Sequence, residues 1–284
     1  MNPDSAPPPT GPSWSQVAIR FDDYTTAEHT AVAHLAPMMT NAEAAELIDS
    51  WSFVRKAPCW RLRYLSHQHQ AAQDAHTLVH RSLDTLRATG HIAQWVETIY
   101  EPEMHAFGGT DAMNIAHHLF HQDSRHILDY LGTARADTTS HRDKRRELSI
   151  LLCTTLMRGA GQDWYEQGDI WARVADNRPL PPETSPDRVR GIELSMRRLM
   201  TVDAAPTSTL TSQGGQLDYF ADWADAFDTA GAAIGDLGRD GTLRRGLRAV
   251  LTHHVIFHWN RLGLPYETQS ALAHASKAVV LGEQ

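Results

Sequence analysis

Residues 51–65 of the chain read WSFVRKAPCWRLRYL, in which two aromatic-rich runs flank the short segment Ala57-Pro58-Cys59. Aromatic and β-branched side chains favour strands, and proline is typical of turns. The stretch therefore predicts two strands, Trp51–Lys56 and Trp60–Leu65, that are joined by a turn.

The segments on both sides of this strand pair extend the pattern. Val17 and Ile19 alternate with polar neighbours, which predicts a further strand. Two stretches of helical composition follow, and Gly90 comes after the second of them, at a position typical of a helix end. The full series is strand 14–21, helix 26–50, the strand pair, helix 71–88 and strand 91–100. This β-α-β-β-α-β order indicates a ferredoxin-like antiparallel sheet with helices on one face.

From Thr110 onward nearly every segment has helical composition, so the sequence predicts an α+β protein. Residues 1–12 are Pro-rich and polar, and we expect a disordered lead-in there. Residues 13–109 would form the ferredoxin-like part and residues 110–284 the mostly helical part. We expect these two parts to make one continuous domain.

The composition excludes several classes of protein. With 284 residues, of which 42% are hydrophobic, the chain can bury a sizeable core. A net charge of −8 argues against a nucleic-acid binder, and no apolar run is long enough to span a bilayer. Cys59 and Cys153 are too few for a disulfide framework or a cysteine zinc site. Because the N-terminus also lacks the features of a signal peptide, we expect a cytoplasmic protein that binds neither nucleic acid nor membrane.

Seventeen histidines raise the question of a metal site. His117 and His121 are four residues apart in a predicted helix, which is the spacing of two zinc ligands. The metalloprotease signature requires glutamate directly after the first histidine, and here that residue is His118. The alternative is a helix whose histidines pack by their rings or form local hydrogen bonds. With no third ligand evident, the sequence predicts no metal.

A second group of histidines precedes a predicted helix end. His254 and His258 are four residues apart, and Asn260 and Arg261 follow directly. A histidine beside a cation suits acid–base chemistry. The alternative is structural, with Asn260 and Arg261 anchoring the helix end while Trp259 packs in the core.

Arginines and acids form two further candidate sites. Alternation along the second strand of the pair places Arg61 and Arg63 on one face, where two guanidiniums suit a carboxylate or a peptide carbonyl. A solvated sheet face is the alternative. The loop after the last strand contains two candidate bases, Glu101 and Glu103, before the pair Gly108-Gly109. No Gly-Lys-Ser/Thr follows this pair, and no Rossmann or elbow-serine pattern occurs, so ATP use, hydride transfer and serine hydrolysis lose support.

Four blocks of the sequence are more specific than these patterns. They are WSFVRKAPCWRLRYL (51–65), IYEPEMHAFGGTDAMNIAHHLFHQDS (99–124), LMRGAGQDWYEQGDIWARVA (156–175) and FHWNRLGL (257–264). Together they resemble the thiopeptide-type bacteriocin biosynthesis family, which is related to the C-terminal glutamate-elimination domain of class I lanthipeptide dehydratases. The resemblance extends from Ser13 to about Gly282.

The resemblance implies two chemistries, neither of which is known to need a metal or an organic cofactor. Elimination members remove glutamate from glutamylated Ser or Thr of a precursor peptide, leaving dehydroalanine or dehydrobutyrine. Stand-alone thiopeptide relatives are pyridine synthases, which join two dehydroalanines in a formal [4+2] aza-cycloaddition and then release water and the leader peptide.

The motifs of the elimination domains match this chain in part. Those domains carry an Arg-x-Arg strand, which Arg61 and Arg63 match, and a histidine shortly before an Asn-Arg pair, which His258 matches. Their Arg-Tyr-Gly-Gly block is Ala106-Phe107-Gly108-Gly109 here. An alanine cannot bind the departing glutamyl carboxylate, so this departure favours pyridine synthesis.

From the matched motifs and the neighbouring residues together, we expect the following catalytic and substrate-binding roles. His258 is the acid–base catalyst, and Tyr100 and Glu103 line its pocket. The substrate-binding residues are Arg61, Arg63, Arg55, Asn260 and Arg261. One alternative is a stand-alone glutamate-elimination lyase that uses the same histidine, with a cation from another arginine such as Arg55 or Arg125. Another is a non-catalytic scaffold that binds a leader peptide. The implied partners are a precursor peptide with its leader and a glutamylating dehydratase.

Overall fold

The computed structural model describes residues 14–67, 71–136 and 143–282. Its contacts divide the chain into two compact units. The first unit comprises residues 1–101 and 124–139, and the second comprises residues 102–123 and 140–284. The lead-in at residues 1–12 lies outside the described residues. The boundary at residue 109 and the single continuous domain stay predictions.

The first unit contains a four-stranded antiparallel sheet. Its strands are β1 (Trp14–Arg20), β2 (Ile48–Lys56), β3 (Cys59–Ser66) and β4 (Gln94–Thr98), in the order β2-β3-β1-β4. With helices after β1 and after β3, this order is the ferredoxin-like arrangement, so the predicted α+β class is confirmed. Strand β2 begins three residues earlier than predicted, and β4 is shorter than predicted.

Alternating apolar side chains explain why the strands of the hairpin stay in register. Phe53 of β2 pairs with Leu62 of β3, and Trp51 pairs with Tyr64. All four side chains are buried, and Phe53 also stacks on Trp60 with ring centroids 4.7 Å apart. A slip by one residue would turn these rings to the opposite face of the sheet, so the apolar pattern fixes the register.

The helices of the first unit follow the predicted series with one correction. Residues 24–44 form a 3-10 turn (Tyr24–Thr26), α1 (Ala27–Thr30), a π-helical turn (Ala31–Leu35) and α2 (Ala36–Ala44). The predicted helix at 26–50 is therefore too long, because the chain joins β2 from Ile48. Helix α3 (Ala72–Ala88) is amphipathic, and its one apolar face buries Ala75, Val79, Leu83 and Leu86.

The remaining helices are α4 (Thr110–Ala136), α5 (Arg145–Gly159), α6 (Trp164–Asn177), α7 (Pro186–Thr201), α8 (Ala221–Arg239), α9 (Leu247–Leu262) and α10 (Tyr266–Leu281). Helix α6 runs through Gly168 without a break. A Cβ at this position would contact the Val280 side chain of α10, so the glycine permits close packing. Gly231 and Gly235 of α8 likewise lie against the backbone of residues 156–160.

Helix α6 begins with a side-chain cap. Asp163 caps its first turn by accepting from the Glu166 backbone N–H, and the Glu166 side chain accepts from the Asp163 N–H. This reciprocal capping box satisfies two N–H groups that a helix start otherwise leaves unpaired. Across the described ranges 14–67, 71–136 and 143–282, none of the helices combines the length and the apolar character that a bilayer crossing requires.

Candidate active site

A buried carboxylate in the second unit collects three hydrogen-bond donors. Asp123, in α4, has no solvent exposure. Its Oδ1 accepts from Trp223 Nε1 at 3.0 Å, its Oδ2 accepts from Arg261 Nη1 at 2.6 Å, and His258 Nδ1 lies 3.0 Å from both oxygens. We call these four residues the Asp123 network. It brings together His258 and Arg261, which the sequence singled out, with two residues that it did not.

The charge on Asp123 is stabilised by its partners. Burial alone would raise the pKa of this carboxyl group, because a charged form is disfavoured away from water. The hydrogen bonds and charges of His258 and Arg261 outweigh burial, so the pKa of Asp123 lies below its ordinary value. An acceptor whose ionised form is favoured therefore stands beside the imidazole.

This acceptor sets the protonation pattern of His258. With Nδ1–H donated to the carboxylate, the neutral ring carries its lone pair on Nε2. Nε2 is buried, and no described residue forms a hydrogen bond with it. The ring edges of Phe227 and Trp223 enclose the imidazole, with centroids 5.0 and 6.1 Å away. A histidine that is oriented by an aspartate and has one nitrogen without a described partner can serve as a general acid–base group.

Helical spacing places three polar side chains of α9 on one face. His254, His258 and Arg261 follow at intervals of four and three residues, and all three are buried. The helix ends at Gly263, whose φ of 80° is the left-handed conformation that glycine favours after a last turn. Arg261 also lies over the Phe120 ring at 4.3 Å, which holds its guanidinium beside Asp123.

The sequence reasoning missed Asp123, although a signal was present. Ala116, Phe120 and Ile127 form a buried stripe of α4, and Asp123 lies on the same stripe at helical spacing. A carboxylate among apolar positions is expected to be paired, because an unpaired buried charge is costly. Its partners could not be identified, since they lie 100, 135 and 138 residues away in the sequence.

His254 has a different environment from His258. Its ring meets the Phe107 ring edge-on at 4.9 Å, and neither of its nitrogens has a hydrogen-bond partner among the described residues. Burial lowers the pKa of His254 to about 3, and the charges of Arg261 and His253 add to this effect while Asp123 opposes it. His254 is therefore a neutral core residue near neutral pH and no proton donor.

A prediction follows for the pH dependence of stability. Unfolded His254 binds a proton below its ordinary pKa of 6.5, whereas folded His254 stays neutral down to about pH 3. The free energy of unfolding should therefore fall as the pH drops through this window, by about 2 kcal/mol between pH 7.5 and pH 5 from this group. His254→Leu should remove that part of the dependence and be at least as stable at pH 7.5. Urea unfolding at both pH values measures it, and an unchanged slope in the variant would show that His254 is solvated.

The loop before α4 is tied to the segment before α9. Arg245 Nη1 donates to the carbonyl of Ala106 at 2.9 Å and lies 3.4 Å from His253 Nδ1. The backbone N–H of Arg244 donates to the Gly108 carbonyl at 2.8 Å. Burial lowers the pKa of His253, Arg245 adds to this, and the Ala249 carbonyl and Glu103 oppose it. The structure thus places the guanidinium of Arg245 beside Ala106. The sequence had suggested Arg55 or Arg125 as the source of the cation that Ala106 cannot provide.

Arg245 also lines an open groove in the second unit. The groove has a volume of about 560 Å³, and its lining includes Gln162, Glu166, Arg239, Leu243 and several glycines. This volume lies in the range of sites that bind small molecules or peptide segments.

Three predicted substrate-binding arginines lie in the first unit. Arg63 is buried, donates to Gln16 Oε1 at 2.8 Å and lies 4.2 Å over the Tyr100 ring. Arg55 forms an ion pair with Glu28. Arg61 is half-buried, and its guanidinium has no hydrogen bond or ion pair with another residue in the described ranges. The structure therefore brings Arg63 together with Tyr100, a predicted pocket residue. Of the three arginines, Arg61 is the one whose guanidinium can bind a ligand without first leaving another residue.

The other predicted residues have mixed outcomes. Asn260 accepts a hydrogen bond from Gln269 at 3.1 Å, which links the end of α9 to α10. This contact fits the alternative prediction from the sequence, in which Asn260 anchors the end of the helix. Glu103 is half-buried, and its Oε2 has no hydrogen-bond partner in the part of the chain that the structure describes. Roles of Asn260, Glu103, Tyr100 and the arginines in binding or catalysis stay predictions.

The surroundings of His117 and His121 bear on the zinc-ligand spacing seen in the sequence. Both lie on α4, and His121 is buried. Among the described residues, no further His, Cys, Asp or Glu completes a group of three around them. Two ligands alone do not define a zinc site.

A family model matches most of the chain. The model describes the C-terminal region of lantibiotic biosynthesis dehydratases, and it matches residues 14–280. A search of curated proteins found no match.

Three solved structures have a similar fold. MibB, a tRNA-dependent lantibiotic dehydratase from Microbispora sp. 107891, is 18% identical, with a TM-score of 0.69 over 97% of this chain and 28% of its own. TbtD, a pyridine synthase from thiomuracin biosynthesis, is 13% identical, with a TM-score of 0.67 over 94% and 97%. TsrL is 15% identical, with a TM-score of 0.57 over 95% of each chain. At these identities the likeness concerns the fold, and this chain spans only 28% of MibB.

Proposed function

Because this chain belongs to the family of lantibiotic biosynthesis dehydratase C-terminal domains, we propose that it is a pyridine synthase acting on a dehydrated, leader-bearing precursor peptide. The family comprises tailoring enzymes of lantibiotic and thiopeptide biosynthesis. The observation that carries the proposal is the His258–Asp123 pair, with Nδ1 held by the carboxylate and Nε2 unused.

The proposed reaction needs proton transfer at several points. One dehydroalanine becomes a 2-azadiene when the proton of an amide nitrogen moves to the carbonyl oxygen next to it. Addition to the second dehydroalanine then closes a six-membered ring, and loss of water and of the leader peptide makes the ring aromatic. His258 Nε2 would take and return these protons while Asp123 stabilises the imidazolium that forms.

The binding residues would supply orientation. Holding two reacting groups together can contribute about 7–11 kcal/mol to catalysis. Arg61 offers a guanidinium for peptide carbonyls, and the groove beside Arg245 offers room for an extended segment. Because Nε2 of His258 is shielded from solvent, a covering side chain must move before a peptide can reach it. The exclusion of water would then strengthen the electrostatic part of catalysis.

Glutamate elimination is the second candidate, and one observation favours it. The arginine that elimination domains carry at the position of Ala106 is absent here, but the Arg245 guanidinium lies 2.9 Å from the Ala106 carbonyl oxygen. Arg245 would then bind the departing glutamyl carboxylate, and His258 would remove the α-proton. A glutamylating dehydratase would be the partner that supplies this substrate.

A leader-binding scaffold is the third candidate. Strand β4 lies at one edge of the sheet. Val96 in this strand is 48% exposed, and Ile99, which directly follows the strand, is 86% exposed. An extended peptide can add to such an edge through main-chain hydrogen bonds.

One assay separates these three functions. The protein is incubated with synthetic leader-bearing peptides that contain either two dehydroalanines or glutamylated serine, and the products are followed by mass spectrometry. We expect the first peptide to lose water and its leader and to gain a pyridine chromophore, while the second stays unchanged. Release of glutamic acid from the second peptide would instead identify a lyase, and binding of both without turnover would identify a scaffold.

A further inference from the structure

A group of potential metal ligands lies in the first unit. His76 and His80 are one turn apart on α3, and Glu97 is in β4. The Nε2 atoms of the two histidines lie 2.9 and 3.0 Å from the same oxygen, Oε1 of Glu97. One ligand atom from each of the three residues lies within 4.8 Å of the other two. Histidine nitrogen and carboxylate oxygen are both ordinary ligands of Zn²⁺.

The distances suit a small cation. Tetrahedral zinc holds nitrogen and oxygen ligands at about 2.0–2.2 Å, so neighbouring ligand atoms are about 3.3 Å apart. The two separations between a histidine nitrogen and the Glu97 oxygen, 2.9 and 3.0 Å, are a few tenths of an ångström shorter. Nε2 of His80 is buried and makes no hydrogen bond to a described residue, although it lies 3.0 Å from the carboxylate oxygen.

Neighbouring side chains orient the two rings. The His80 and Trp95 rings pack with their centroids 4.4 Å apart, and Trp95 Nε1 donates to Asp84 Oδ1 at 3.2 Å. The Tyr64 hydroxyl lies 3.4 Å from Nδ1 of His76, on the side of the ring away from Glu97. Partners on the outer nitrogen of a histidine fix its tautomer and orientation in metal sites.

We propose that His76, His80 and Glu97 form a divalent-cation site of the zinc type, with a solvent molecule as fourth ligand. Two histidines and one glutamate leave one position of a tetrahedron open. The Glu97 side chain is 53% exposed, so the open position can reach solvent. The bound ion would link α3 to β4. This site uses none of the residues of the Asp123 network and does not depend on the proposed reaction.

Zinc binding to the whole chain tests the proposal. The protein is prepared without a polyhistidine tag, treated with a chelator and titrated with Zn²⁺ by calorimetry. Metal content after dialysis is then measured. We expect one ion per chain, and we expect Co²⁺ in its place to give the intense visible absorption of a four-coordinate site.

Three variants make the result specific. His80→Ala and Glu97→Gln should each weaken zinc binding at least tenfold, and Glu97 is exposed enough for its variant to fold. His118→Ala, which removes an exposed histidine of α4, should bind zinc like the native protein. Circular dichroism confirms that each variant is folded. Absence of stoichiometric binding, or equal affinity in all variants, would overturn the proposal and leave the group as an ion-paired network.

Discussion

Replacing His258 by asparagine is expected to lower the rate of the peptide reaction by about 10²–10⁴-fold, the usual contribution of a general acid–base group. Asparagine places an amide N–H close to the position of Nδ1, so it can still donate to Asp123. It has no counterpart of Nε2, the nitrogen that would carry the proton. The variant therefore removes the proposed chemistry while keeping the buried carboxylate satisfied. Initial rates with the peptide containing two dehydroalanines measure the effect.

Two controls accompany this variant: its own stability, and the activity of a variant at the neighbouring His253. The free energy of unfolding of His258→Asn should stay close to that of the native protein. His253→Asn changes a half-buried histidine that contacts Arg245 instead of Asp123, and it should reduce the rate far less. If His258→Asn keeps its activity, or loses only as much as its folded fraction, then His258 is a structural member of the Asp123 network.

Replacing Asp123 by alanine is expected to lower the free energy of unfolding by about 3–5 kcal/mol, the usual effect of breaking a buried ion pair. Arg261 is 1% exposed, so its charge would stay buried without its carboxylate partner. The donors on Trp223 and His258 would lose their acceptor as well. Urea unfolding followed by circular dichroism at pH 7.5 measures the difference.

A surface pair gives the matched comparison. Asp236 and Arg239 form an ion pair on α8 in which both side chains are more than half exposed. Asp236→Ala should therefore change stability by less than about 1 kcal/mol. The double variant Asp123→Asn with Arg261→Met should regain part of the loss, because it leaves no unpaired buried charge. A single Asp123→Ala variant as mild as Asp236→Ala would mean that water reaches the network.

The fold was largely predictable because local patterns determine it. Alternation in residues 14–21, the aromatic-rich runs of residues 51–65 and the helical composition of residues 71–88 were enough for the strand and helix order. The ends of elements were less predictable. Ile48 joins β2 because it pairs with Ser66, and Gly168 stays helical because α10 packs against it. Both facts depend on residues distant in the sequence.

The site was predictable only where one element contains the whole signal. His258 and Arg261 share a helix turn, so their spacing was visible in the sequence. Asp123, Trp223 and Arg245 act through partners from other elements, and a single sequence does not reveal those pairings. The same holds for Glu97, which meets His76 and His80 only because β4 pairs with β1 in the observed register.

The glycines of α8 bear on the precision of the candidate site. Phe227, Gly231 and Gly235 follow one another at four-residue intervals, so the helix face that encloses His258 continues into the face that rests on residues 156–160. A contact between two backbones has no rotamers with which to adapt. The backbone contacts of Gly231 and Gly235, up to two turns away, therefore set the depth at which the Phe227 ring packs against the imidazole of His258. We expect substitutions at these two glycines to be tolerated least.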